Sequence, residues 1–71
     1  MRREFSVVIE RDPEGWFVGS VPELPGCHTQ AKSLDELMKH IEEAIQVCLE
    51  AEGEDVGENV FVGVQRVMVE A

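Results

Sequence analysis

A chain of 71 residues has room for one hydrophobic core, so the expectation is a single domain over 1–71 and no multi-domain enzyme. Fifteen Asp and Glu against 6 Lys and Arg give a formal charge of -9, which repels phosphate backbones and argues against direct, charge-driven nucleic-acid binding. A hydrophobic content of 44% is too high for an acidic disordered tail, and no apolar run approaches the roughly 20 residues that span a bilayer.

From Glu4 to Glu10, Phe5, Val7 and Ile9 alternate with Glu4, Ser6 and Glu10, the period of two expected of a half-buried strand, with Val8 as the one apolar residue on the outward side. Asp12-Pro13-Glu14-Gly15 is turn chemistry, because proline fixes its own φ and glycine accepts φ > 0. Trp16 to Val21 then resumes β-favouring residues, which predicts a hairpin. Pro22 and Pro25 lack amide donors, so Pro22 to Gly26 reads as a rigid connection that leads into a third strand, Cys27 to Ala31. Ser33 with Glu36 forms a capping box that starts a helix. Leu34, Leu37, Met38, Ile41, Ile45, Cys48 and Leu49 recur on one stripe of that helix. Gly53 is placed to end it, and residues 53–58 have the polarity of an exposed loop. Near Asn59 a last strand is expected, running through Val60 to Val69 with apolar residues on both faces, one face under the helix and the other against a further subunit. The order strand, strand, strand, helix, strand predicts an α+β fold, an antiparallel sheet with one helix packed on one face.

A domain this small hides only about 60% of the surface its unfolded chain exposes, so a homo-oligomer is the natural supplement to its core. Met1-Arg2-Arg3-Glu4 leads straight into the alternating segment with no signal-peptide core, which predicts a cytoplasmic protein whose Cys27 and Cys48 are reduced thiols.

The runs Val8 to Val18 and Val21 to Ala31, with Ser33-Leu34-Asp35-Glu36 opening a long amphipathic helix, resemble the HicB-like antitoxins over roughly residues 4 to 52. Val21-Pro22-Glu23-Leu24-Pro25-Gly26-Cys27 beside the capped helix is the most specific part of that likeness. The resemblance implies a degenerate ribonuclease H-like fold used as a non-enzymatic module that binds and occludes a small basic ribonuclease toxin of the HicA type. Longer members of the family usually carry a DNA-binding segment after the last strand. Here only Glu70 and Ala71 follow Val69, so no recognition helix and no direct operator binding are expected of this polypeptide. The residues expected to meet the partner are Asp12, Glu14 and Trp16 at the first turn and Glu23 and His28 around the connection, which Pro22, Pro25 and Gly26 hold rigid. An acidic surface would steer a basic partner toward them.

Other chemistries fit the residues less well. Asp12, Glu14 and Glu23 supply carboxylates for a two-metal nuclease, but they fall in turn sequences, so no catalytic residue and no cofactor is expected. Cys27, His28, His40 and Cys48 have the ligand types of a zinc site without its paired spacing. A homo-oligomer of structural or ligand-binding role, with no toxin, is the alternative function.

Overall fold

The first turn is organised by Asp12. In the computed structural model, which describes residues 3–52 and 59–70, its Oδ1 accepts hydrogen bonds from the amides of Glu14 and Trp16, both at 2.9 Å. Its own amide donates to the Trp16 carbonyl at 2.9 Å, and Gly15 sits at φ 93°, where a side chain would be strained. This turn joins β1 (Val8–Arg11) to β2 (Phe17–Ser20), antiparallel with Val8 opposite Ser20 and Arg11 opposite Phe17. Replacing Asp12 with alanine leaves two turn amides without their acceptor and is expected to cost about 2 kcal/mol in urea denaturation, with Asp12→Asn much milder because it keeps the oxygen.

β2 reaches β3 (His28–Ala31) through two linked turns, and β3 pairs antiparallel with β2, Ser20 opposite His28 and Phe17 opposite Ala31. The Leu24 amide donates to the Val21 carbonyl at 3.0 Å, and the Cys27 amide to the Leu24 carbonyl at 2.9 Å. Each turn has proline at its second position, Pro22 and then Pro25, and the second places Gly26 at φ 84°, the pattern of a type II turn. The connection also carries core: Val21, Leu24 and Cys27 are all buried.

α1 (Leu34–Glu52) begins where the capping box places it, with the Glu36 amide donating to Ser33 Oγ at 3.2 Å and acidic Asp35 and Glu36 in its first turn. Leu37 and Ile41 are buried and Ile45, Cys48 and Leu49 half-buried, whereas Leu34 and Met38 at the start of the predicted stripe are exposed. The helix packs on β3 and β2 and leaves β1 uncovered. Leu37 fits over Gly19, where an added Cβ would lie 3.4 Å from both of its terminal carbons and 3.3 Å from Val7 Cγ1.

The α+β class holds, with a sheet ordered β1-β2-β3 and one helix. Two expectations change. The first strand starts at Val8 instead of Glu4, because the chain before it is held by a side chain: the Ser6 amide donates to both carboxylate oxygens of Glu23, at 3.1 and 3.0 Å. The fourth strand over Val60–Val69 is not formed in the described residues, and this segment carries no strand and exposes Val62 and Met68 almost completely, at 95% and 98%. A strand exists only beside a ladder partner, and apolar residues on both faces need two covering surfaces, which this chain does not provide there. The expected helix terminator Gly53 and the loop 53–58 lie outside the described residues.

Candidate protein-binding face

Strand alternation places Gly19 and Val7 toward the helix, so their neighbours in sequence point to the other side of the sheet, which no helix among the described residues covers. The pairing registers align that side into cross-strand rows. Val8, Ser20 and His28 form one, and Glu10, Val18 and Gln30 the next. One step beyond the ladder, Asp12, Trp16 and Lys32 continue the pattern, with the Lys32 ammonium 4.0 Å from the centre of the Trp16 ring. The face therefore has a half-buried apolar centre, Val8, Val18 and Trp16, within a rim of exposed Glu10, Glu14, His28, Gln30 and Lys32. An apolar centre with a polar rim is the general plan of a protein interface.

Of the residues expected at the interface, the structure puts Trp16 and His28 on this one face, at its opposite ends, with Glu14 exposed at the turn beside Trp16. Asp12 and Glu23 have other work. Asp12 holds the first turn, and Glu23 fastens residues 3–7 to the connection, so both carboxylates are already committed to backbone amides. Pro22, Pro25 and Gly26 lie in the two turns of that connection, outside the three strands. Glu10, Val18 and Gln30 went unnoticed in the sequence. Their signal is the second set of alternate positions in each strand, which becomes meaningful only when the register shows which alternates share a side.

The ligand-type residues Cys27, His28, His40 and Cys48 do border one shallow hollow between β3 and α1. Among the described residues, however, no group of three His, Cys, Asp or Glu is arranged to hold a metal ion, and His40 Nδ1 lies 3.3 Å from the Gln30 carbonyl oxygen, a hydrogen-bonding distance. No helix of the described chain is long and apolar enough to cross a membrane.

Comparison with known proteins agrees with this architecture. The family model described as HicB-like antitoxin of bacterial toxin-antitoxin system matches residues 5–67. A UPF0150 protein of Archaeoglobus fulgidus is 54% identical over 66 residues, covering 93% of this chain and 94% of that one. One from Synechocystis is 46% identical over 68 residues, 96% and 97% of the two chains, and one from Thermotoga maritima 37% identical over 71 residues, 99% and 95%. With a match that takes in the hairpin, the Pro-Gly connection and the helix together, the chain belongs to the HicB-like antitoxin family.

Proposed function

We propose that this domain is a cytoplasmic, non-catalytic antitoxin that binds a small basic ribonuclease toxin of the HicA type and occludes its active surface. Family membership supports an antitoxin role. The observation that carries the binding mode is the uncovered sheet face, with Val18 at its centre, Trp16 at one end and Glu10 and Glu14 on its rim. On this reading Trp16, Glu14 and His28 touch the toxin, Glu10 and Gln30 join them, and Asp12 and Glu23 act by holding the backbone that presents them. The acidic rim raises the rate of encounter with a basic partner, and the apolar centre supplies the desolvated contact that holds it.

The test is co-expression with the product of the adjacent reading frame, followed by titration of the purified pair. Glu10→Lys with Glu14→Lys, two exposed positions whose change leaves the fold intact, is expected to weaken binding at least tenfold at low salt and to flatten its salt dependence. Equal affinity for the double variant would remove this face from the interface. The alternative, an assembly with no toxin, draws on the exposed Val-rich segment 60–69, and it is favoured if the neighbouring product neither binds nor is inhibited.

A further inference from the structure

Residues 59–70 have the composition of a strand and the environment of none. Val60, Val62, Val64, Val67, Met68 and Val69 are each at least 76% exposed. The family match runs through residue 67, so this segment is part of the shared domain and not an appendage to it. A continuous apolar patch of this extent is far more than a lone soluble domain normally leaves in water.

Of the two edge strands, β3 packs against the helix, and its Gln30 carbonyl lies 3.3 Å from His40 Nδ1. β1 is the other edge, and the helix does not cross it. Beside the chain that leads into β1 runs an open groove of about 410 Å³, whose apolar walls are Phe5, Ile41, Ile45 and Leu49 and whose charges are Arg3 and Glu42. Of these helix residues Ile41 is buried in the core, whereas Ile45 and Leu49 are only half-buried.

We propose that residues 60–69 of one copy add as a fourth strand to the β1 edge of a second copy and close this groove. The inference does not rest on the toxin reading. Charge selects a second copy over a basic partner: the segment from Asn59 to Val69 holds Arg66 as its one charged residue and no acid, so it offers nothing to attract a basic protein. Along this stretch chains of charge -9 can meet without opposing carboxylates. The pattern agrees. Apolar residues occupy both alternating sets, Val60, Val62, Val64 and Met68 on one side and Phe61, Val67 and Val69 on the other, so both faces of a strand formed here need cover. A strand with two apolar faces is suited to packing between two bodies.

Light scattering over a dilution range on the order of a hundredfold tests this, because an assembly held by strand exchange depends on protomer concentration. The full chain is expected to have the mass of at least two copies, and its amides from Phe61 to Val69 to gain protection from hydrogen exchange as concentration rises. Val62→Lys with Val64→Lys changes only exposed side chains and is expected to give the mass of one folded copy with those amides unprotected. A double variant that keeps the wild-type mass would overturn the proposal. So would a wild-type chain that stays single across the range, whether the segment is then protected by its own sheet at every concentration or only after a different protein is added.

Discussion

Truncating Leu37 to alanine is expected to remove about 2 to 5 kcal/mol from a domain whose whole stability is on the order of 4 to 10 kcal/mol, so the urea midpoint should fall by roughly half. The side chain is fully buried, and it occupies the space that Gly19 leaves by having no Cβ. No neighbour can fill the hole cheaply, because the strand backbone below it is fixed by pairing on both sides. Gly19→Ala distinguishes this packing from a general effect of losing a leucine. In the native background the new methyl meets Leu37 at 3.4 Å and Val7 at 3.3 Å, whereas in the Leu37→Ala background it occupies part of the cavity. The double variant should therefore be more stable than Leu37→Ala alone. If the two changes simply add, the proposed fit between Gly19 and Leu37 is wrong.

The second large effect is expected at Glu23. Both of its carboxylate oxygens accept from the Ser6 amide, which joins residues 3–7 to the double turn. A charged acceptor of this kind is worth about 1.5 to 3 kcal/mol, and Glu23→Ala should lose that much, with Glu23→Gln retaining part of it through its carbonyl oxygen. The Ser6 amide should exchange with solvent much faster in Glu23→Ala while amides inside α1 change only through global stability. An unaltered Ser6 exchange rate would show that another contact holds the segment. Because the lesion is structural, any loss of partner affinity in Glu23 variants should follow their stability, unlike the loss from Glu10 and Glu14, which should appear in a fully folded protein.

The hairpin, the turns around Pro22 and Pro25 and the helix start were legible because each rests on local chemistry: Asp12 with Gly15, Pro25 with Gly26, and Ser33 with Glu36 all act within five residues of one another. Long-range geometry was not. Nothing in the alternation of residues 4–10 says that Glu23 will satisfy the Ser6 amide and keep the first half out of the ladder. The final strand failed for a related reason, since β-propensity describes a segment and strand formation requires a neighbour. The candidate face was half legible. Trp16 and His28 drew notice by residue type, but Asp12 and Glu23 did so too, and only their hydrogen bonds separate the carboxylates that build the fold from those left for a partner. The string from Val21 to Cys27, the most specific sequence likeness to the family, turns out to be two turns, a staple and a buried leucine. It marks how the domain folds more than what it touches.

The unequal edges of the sheet bear on whether chains of this kind can form fibres. Growth by strand addition continues without end only when each added unit presents a fresh edge like the one it covered. Here the two edges differ: the Gln30 carbonyl of β3 is met by His40 of α1, whereas β1 has no helix against it. If the exchange proposed at β1 is reciprocal, it closes on itself as a finite, symmetric particle. A substitution that drew His40 and the helix away from β3, such as one that broke α1 near its middle, would restore a second open edge and with it a route from a closed assembly to an open-ended polymer.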